Sequence, residues 1–159
     1  MFQFVMILSV CGFTVAQEKR LLCRTDDLDI LYSNCSGGPH TNTFSFEVEP
    51  CSLKDHSVWM GTIFWIPRAD LTILSAHVSL SFKGFEAIKW ESVLCHGVDD
   101  DYTFCGALKG ETINTTVRIS GAMPTYPKGE YTVIFKGFSG YYEELIACMN
   151  YTVIIKQQL

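Results

Sequence analysis

The sequence has no sustained helical periodicity, no internal repeat and no low-complexity tract. After Ala16, no segment approaches the roughly 18 consecutive apolar residues of a membrane-spanning helix, so we expect the mature chain to be soluble. The C-x-x-C spacing of zinc sites and the G-x-S-x-G motif of hydrolases are both absent. The net charge is −5 and no polybasic stretch occurs, which argues against nucleic acid and membrane surfaces as partners.

The first 16 residues form a nearly continuous apolar run that carries no charged side chain. It ends in the small residues Thr14, Val15 and Ala16, which suit cleavage before Gln17. We therefore predict a signal peptide at 1–16 and a secreted mature chain at 17–159. Roughly 143 residues remain, which is enough for one domain with a real core.

The mature chain has six cysteines, and an even number in a secreted chain predicts disulfides. The residues alone support one pairing, Cys95 with Cys105, because the two lie close together and flank a polar loop. The other four cysteines leave several pairings open. Three sequons, at Asn34, Asn114 and Asn150, permit glycosylation and agree with passage through the secretory pathway.

The segment from Cys95 to Cys105, which we call the acidic loop, carries three consecutive aspartates, Asp99, Asp100 and Asp101. Two interpretations stand side by side: a solvated turn, or an acidic docking point for a basic partner surface. A calcium site is disfavoured because the alternating aspartates and the glycine of an EF-hand loop are missing.

Period-two alternation recurs wherever the chain is apolar, as in Phe44, Phe46 and Val48 against Ser45 and Glu47. Further strands are predicted near 58–66, 76–82, 112–119, 131–136 and 147–155, with Gly and Pro between them. We therefore predict an all-β fold, an immunoglobulin-like two-sheet sandwich. Its inner side chains are large, and they form either a packed core or the wall of a cavity for an apolar ligand.

Three segments resemble the lipid-recognition (ML) family, and within it the co-receptors of Toll-like receptor four. They are Gly97 to Thr116, which is the most specific, Phe64 to Leu71, and Lys128 to Tyr131. The resemblance implies a sandwich whose sheets gape at one edge and accept acyl chains of lipid A or lipopolysaccharide. It implies the disulfides Cys23–Cys51, Cys35–Cys148 and Cys95–Cys105, and it places Val133 where the family has an unpaired cysteine.

The resemblance also implies four groups of functional residues, each with its own role. The lipid pocket would comprise Phe44, Phe46, Val48, Ile63, Trp65, Leu71, Leu74, Val78, Leu80, Phe82, Leu94, Phe104, Ile113, Val117, Ile119, Tyr131, Val133, Phe135, Met149, Tyr151 and Val153. The receptor-docking edge would comprise Arg68, His96, Asp99, Asp100, Asp101, Tyr102, Gly106 and Gly110. A rim that meets a second receptor would comprise Phe82, Phe85, Met123 and Tyr126. The headgroup rim would retain Lys89 and Lys128.

The headgroup rim departs from the family pattern. The family surrounds its pocket mouth with lysines and arginines, whereas Glu91 and Glu130 stand at two of these positions in this chain. A carboxylate repels phosphate, so we expect weak lipopolysaccharide binding or a preference for a less phosphorylated lipid. His96 stands where the family has arginine, which suggests a pH-sensitive contact.

The resemblance therefore predicts a secreted lipid-binding co-receptor of Toll-like receptor four, held at the cell surface through that receptor. We expect no cofactor or metal. Catalysis is disfavoured because the four histidines, His40, His56, His77 and His96, fall in turns or on wet strand faces. The alternatives are a sister co-receptor of another leucine-rich receptor, a plain lipid carrier of the same fold, and an adhesive sandwich with no pocket.

Overall fold

The computed structural model describes residues 18–36, 43–52, 58–98, 100–119 and 127–156. The predicted signal peptide lies outside these ranges. Within them the chain forms nine strands and no helix: β1 (Arg20–Arg24), β2 (Leu28–Asn34), β3 (Ser45–Glu49), β4 (Trp59–Trp65), β5 (Leu74–Phe82), β6 (Phe85–Cys95), β7 (Ile113–Ile119), β8 (Gly129–Ser139) and β9 (Glu144–Ile155).

The strands pair antiparallel in two sheets. One sheet has six strands in the order β1-β2-β9-β8-β5-β6, and the other has three strands in the order β3-β4-β7. This confirms the predicted all-β, two-sheet architecture. Six strands lie where the alternation predicts them, because one face of each is apolar; in β3, Val48 is buried while Ser45, Glu47 and Glu49 are exposed.

The turn between β5 and β6 lies between Phe82 and Phe85, two residues predicted for the second-receptor rim. The strands run to Phe82 and resume at Phe85, so Lys83 and Gly84 alone make the turn. Both have positive φ, 51° and 82°, as a two-residue type I′ hairpin requires. The segment is therefore a tight hairpin.

The core is divided between the two ends of the sandwich. One cluster lies against the acidic loop and comprises Trp65, Leu71, Leu74, Cys95, Phe104, Ile113, Ile146 and Ala147. The other lies at the opposite end and comprises Leu28, Ile30, Val48, Tyr131 and Ile155. The register of β5 on β8 separates the two ends, since Leu74 pairs with Ser139 and Phe82 pairs with Tyr131.

The two long edges of the sandwich are different. At one edge β1 and β3 approach each other across the sheets, and the Cys23–Cys51 disulfide joins them with a Cα–Cα distance of 6.1 Å. At the other edge lie β6 and β7, and β6 is exposed over most of its length. We call these the closed edge and the open edge.

Candidate functional site

An apolar cavity of about 660 Å³ lies between the sheets. Its wall contains many residues predicted for the pocket: Phe44, Phe46, Ile63, Trp65, Leu74, Val78, Leu94, Phe104, Ile113, Val117, Ile119, Val133, Phe135 and Tyr151. They come from both sheets because each strand turns one apolar face inward. The volume is in the range of small-molecule and cofactor sites.

Other residues predicted for the pocket lie outside the cavity wall: Val48, Leu71, Leu80, Phe82, Tyr131, Met149 and Val153. Leu71 packs in the cluster beside the acidic loop, while Val48 and Tyr131 belong to the opposite cluster. Met149 is almost completely buried. The alternation pattern correctly predicts that most of these side chains point inward. It does not distinguish side chains that pack in the core at the ends of the sandwich from those that line the cavity in the middle.

The cavity has a floor of three small residues that sequence reasoning missed. Ala76 on β5 pairs with Gly137 on β8, and Gly137 pairs with Ala147 on β9. All three contribute to the cavity wall, and together they form a row across three adjacent strands. Because they lack bulk, these residues leave more room between the sheets than the large side chains beside them, such as Phe135, would leave. A sequence signal exists, since small residues interrupt otherwise large inward positions.

The mouth of the cavity lies at the open edge. Trp90 on β6 and Arg118 and Ile119 on β7 all line it. Trp90 is half exposed and Ile119 is exposed. Among the described side chains, no carboxylate forms an ion pair with Arg118. Alternation places Arg118 on the wet face of β7, so the sequence pattern does not reveal it as a residue of the mouth.

The structure places Lys89 away from the mouth. Trp90 faces the cavity, so its neighbours Lys89 and Glu91 face the outer side of the sheet. The Lys89 Nζ lies 2.9 Å from Glu91 Oε1. This hydrogen bond lowers the pKa of Glu91 and raises the pKa of Lys89. The position does not support Lys89 as a headgroup contact; Lys128, the other predicted cation, is exposed just before β8.

Tyr151 is the one wall residue whose ionisation is strongly affected. Burial raises the pKa of the Tyr151 phenol, and the phenol of Tyr32 raises it further. The ring of Phe46 meets Tyr151 edge-on, at 6.4 Å between centroids. The phenol therefore stays neutral at physiological pH, and this part of the wall carries no charge.

The acidic loop is folded around one of its own aspartates. Asp100 accepts hydrogen bonds from the backbone N–H groups of His96 and Gly97, at 2.6 and 3.2 Å. Its carboxylate therefore shapes the loop, whereas Asp101 is exposed. Asp99 lies outside the described residues. The Cys95–Cys105 disulfide is present, as predicted.

The residues predicted to dock to a receptor lie at one end of the sandwich. The Gly106 N–H donates to Leu71 O at 3.1 Å, and the Gly110 N–H donates to Pro67 O at 2.9 Å. Both glycines have a φ of 86°, which favours glycine. These bonds hold the residues that directly follow the acidic loop against the segment that carries Arg68, which is exposed.

Tyr102 connects the acidic loop to the cavity. Its ring stacks on Phe104 at 5.1 Å, with 18° between the ring planes. Phe104 is buried and Tyr102 is exposed, and both contribute to the cavity wall. Tyr102 thus faces both the predicted docking surface and the predicted pocket, a double position that the sequence pattern does not reveal.

The predicted second-receptor rim is only partly described. Phe85 is strongly exposed at the hairpin tip. Phe82 instead stacks on Tyr131 at 4.6 Å and packs against the core cluster at the end of the sandwich opposite the acidic loop. Met123 and Tyr126 lie outside the described residues.

The three sequons differ in accessibility. Asn114 is exposed on β7, at an edge of the smaller sheet. Asn34 is partly buried at the end of β2. Asn150 lies on β9 between β2 and β8, and its Oδ1 is buried. Asn114 therefore offers the most open attachment point of the three.

The disulfides are the three that the resemblance implies, including Cys35–Cys148 with a Cα–Cα distance of 5.4 Å. Cys95, Asp100 and Cys105 bring potential metal ligands within 4.8 Å of one another. Both sulfurs are consumed in the Cys95–Cys105 bond, so they offer no thiolate to a metal. In the ranges that the structure describes, no helix is long and apolar enough to cross a membrane.

The fold and the cavity define a class: a disulfide-linked, two-sheet sandwich with an apolar chamber open at one edge. No protein-family model matches the sequence. Human lymphocyte antigen 96 is 35% identical over 142 residues, which cover 89% of this chain and 88% of that protein. Human lymphocyte antigen 86 is 27% identical, covering 97% of this chain and 94% of that protein.

The chain belongs to the lymphocyte antigen 96 family, which confirms the resemblance found in its sequence. Among solved structures, chicken MD-1 complexed with lipid IVa superposes with a TM-score of 0.74 at 22% identity. The match covers 89% of this chain and 100% of that one, and it supports the same fold.

Proposed function

We propose that the protein is a secreted lipid-binding co-receptor that takes acyl chains of lipid A into its cavity and docks to Toll-like receptor four. The observation that carries the proposal is the apolar cavity of about 660 Å³ opening between β6 and β7. A solved relative of the same fold is chicken MD-1 complexed with lipid IVa, which supports a lipid in the equivalent space.

The energy of such binding comes mainly from the acyl chains. One twelve-carbon chain gives roughly 9 kcal/mol of gross transfer free energy at about 0.8 kcal/mol per methylene. Ordering of the chain and association reduce this gain. Several chains together therefore tolerate a weak headgroup site, and no bond is made or broken in this function.

Arg118 is a better candidate for a headgroup contact than Lys89, because it borders the mouth even though alternation with Val117 and Ile119 puts it on the outer face of β7. Arg118 lines the cavity, whereas the Lys89 ammonium is bound to Glu91 on the outer face. A guanidinium binds phosphate through two parallel hydrogen bonds. With Lys128 as a second, more distant cation, the mouth favours a lipid that carries few phosphates.

The docking proposal rests on the end of the sandwich that carries the acidic loop. Asp101, His96 and Arg68 are exposed there, and the Cys95–Cys105 bond fixes the loop. Since Asp100 is occupied with loop backbone, Asp101 is the better test of a direct contact. Phe85, with Met123 and Tyr126, would contribute the apolar rim that meets a second receptor once lipid is bound.

Native mass spectrometry of the secreted, deglycosylated protein with lipid A tests the lipid proposal. We expect a one-to-one mass shift. The matched variants are Val133→Phe, which fills the cavity, and Ile134→Phe, the next residue on β8, which lies outside the cavity wall. Loss of the shift with Val133→Phe alone supports the proposal, and equal retention in both variants contradicts it; thermal unfolding controls for overpacking.

Capture of the Toll-like receptor four ectodomain tests docking. Asp101→Asn should weaken capture while lipid uptake stays constant, because Asp101 is exposed and does not line the cavity. Asp26→Asn is the matched control, since Asp26 is exposed in the turn between β1 and β2 at the far end. If both substitutions weaken capture equally, the acidic loop is not the docking point.

A second candidate function is the sister role of a lymphocyte antigen 86-type co-receptor for another leucine-rich receptor. The observation that favours it is the ion pair between Lys89 and Glu91, together with the exposed Glu130 at the start of β8. Retention of a non-phosphorylated acyl lipid, with no shift from lipid A and no capture of Toll-like receptor four, would support this role.

A further inference from the structure

Two adjacent tyrosines project into solvent from the turn between β8 and β9. Tyr141 is 89% exposed and Tyr142 is 101% exposed, the highest exposures among the large apolar and aromatic residues that the structure describes. Aromatic rings usually bury most of their surface, and tyrosine is enriched at protein interfaces. The intramolecular fold therefore gives no reason for this pair.

The turn that presents the tyrosines is fixed. The Gly140 N–H donates to Ile73 O at 3.0 Å, and the Glu143 N–H donates to Gly140 O at 3.2 Å. The buried Ser139 hydroxyl donates to Asp70 O at 2.7 Å. The segment 70–73 thus holds the start of the turn, and the Glu143–Gly140 bond closes it, so the two rings project from a defined backbone.

The same segment also holds the residues that directly follow the acidic loop. The Leu71 N–H donates to Ala107 O at 2.8 Å, and the Lys109 N–H donates to an Asp70 carboxylate oxygen at 2.8 Å. The β8–β9 turn and the segment that directly follows the acidic loop are therefore bonded to one piece of backbone, at one end of the sandwich. Both present their exposed residues in the same end region.

The charge of this region is predominantly negative. Exposed Glu143 and Glu144 follow the tyrosines, and exposed Asp101 lies on the acidic loop. The exposed cations at this end are Arg68 and Lys109, with His96 as a titratable neighbour. An arginine suits such a mixture because its planar guanidinium stacks on aromatic rings and binds carboxylates.

We propose that Tyr141, Tyr142, Glu143 and Glu144 form a second half of the receptor-docking surface, and that they bind arginine side chains on a basic face of the protein partner. This inference rests on the proposed function, because it extends the docking surface built on the acidic loop. The tyrosines supply the apolar contact and the glutamates supply the charge.

Receptor capture by three variants tests the inference. In Tyr141→Ser/Tyr142→Ser, we expect capture of the Toll-like receptor four ectodomain to weaken about tenfold, the effect of losing an interface anchor. Phe64→Ser is the control, because Phe64 is an exposed aromatic on the smaller sheet. Asp101→Asn reports on the proposed function separately. If Asp101→Asn weakens capture and the double tyrosine variant does not, the tyrosine inference is wrong while the proposed docking function stands.

A titration with nona-arginine decides the question even if the wild type captures no ectodomain. We expect the NMR ring signals of Tyr141 and Tyr142 to shift with nona-arginine and much less with nona-lysine, which lacks a stacking guanidinium. Shifts confined to the acidic loop overturn the inference. The inference is also overturned if the double tyrosine variant retains full receptor capture but loses self-association or loses binding to phosphatidylserine vesicles.

Discussion

The closed and open edges of the sandwich have opposite construction. At the closed edge, the Cys23–Cys51 bond joins the sheets, and the Trp59 indole N–H donates to Ser52 O at 3.1 Å. At the open edge, β6 and β7 share no such link, and Ile88 and Trp90 stand half exposed. Trp59, on the central strand β4, packs into the fold, whereas Trp90 on the open edge faces the cavity mouth.

The difference shows how a sandwich accommodates a chamber without losing its fold. The closed edge fixes the separation of the sheets along one side only. The row of Ala76, Gly137 and Ala147 then adds little bulk to the floor, while the core clusters fill both ends. An opening therefore requires one free edge and a few small residues, while most of the hydrophobic core is retained.

The largest predicted effect comes from removing the disulfide at the closed edge. Cys23→Ser/Cys51→Ser removes a bridge of sequence separation 28, which costs about 3.5 kcal/mol of unfolding free energy in the chain-entropy model. We expect lipid uptake to fall as well, because the sheets lose their fixed spacing. Denaturant unfolding and native mass spectrometry measure the two effects.

Cys95→Ser/Cys105→Ser is the comparison for this change. Its separation of 10 predicts about 3 kcal/mol and an effect on receptor capture rather than on sheet spacing. Unchanged lipid uptake after loss of the Cys23–Cys51 bond would show that the closed edge does not set the chamber width.

Trp59 in the packed interior and Trp90 at the open edge allow the same substitution to be compared directly. Trp59 packs against the core cluster and is hydrogen-bonded, so Trp59→Ala should cost about 3 kcal/mol of stability. Trp90 is half exposed at the mouth, so Trp90→Ala should leave stability nearly unchanged and weaken lipid binding roughly tenfold. Urea unfolding and lipid titration separate the two outcomes; equal loss of stability in both variants contradicts the comparison.

Arg118 refines the description of the open edge. Arg118→Ala should weaken binding of phosphorylated lipid A by up to about fivefold, since exposed ion pairs contribute at most about 1 kcal/mol. Binding of the dephosphorylated lipid should not change. Lys89→Ala is the control, because Lys89 is bound to Glu91 on the outer face; a larger effect at Lys89 would reverse the assignment.

The sequence predicts those parts of the fold that alternation encodes. β3, β5 and β7 each bear one apolar face, and they are found near their predicted positions. β6 escaped prediction because it is an exposed edge strand with Phe85, Ile88, Trp90 and Val93 on both faces. The alternation pattern is recognisable only when one face of a strand is polar and the other is apolar. β6 carries apolar residues on both faces, so the pattern does not reveal it.

The candidate site is predicted in its side chains more than in its shape. Large inward residues such as Phe104 and Phe135 follow from periodicity. The cavity forms where Ala76, Gly137 and Ala147 lie side by side on three strands. The register between the strands makes these residues neighbours, and the sequence of a single strand does not determine that register. Arg118 borders both the polar face of β7 and the cavity mouth, and Tyr102 borders both the acidic loop and the cavity. The alternation rule assigns each residue to one face and therefore misses the second position.

The smallest predicted effect compares two ion pairs, one near each edge. On β2, a hydrogen bond from Lys156 lowers the pKa of Asp29, with Arg24 also contributing, although burial opposes the shift. A carboxyl with a depressed folded-state pKa stabilises the protein above its unfolded pKa of about 4, and this contribution is lost as the pH falls through the folded value. Asp29→Asn should therefore lower the thermal midpoint slightly at pH 7 and leave it unchanged near pH 2.

Glu91→Gln makes the same change at the open edge, where the hydrogen bond from Lys89 lowers the pKa of Glu91. The Glu91 side chain is 50% exposed, whereas that of Asp29 is 13% exposed. Solvent screens the Glu91 pair more strongly, so its pH-dependent effect on the midpoint should be the smaller of the two. A larger effect at Glu91 would mean that β6 is held by its charged outer face, and the open edge would then be stabilised by electrostatics rather than left free.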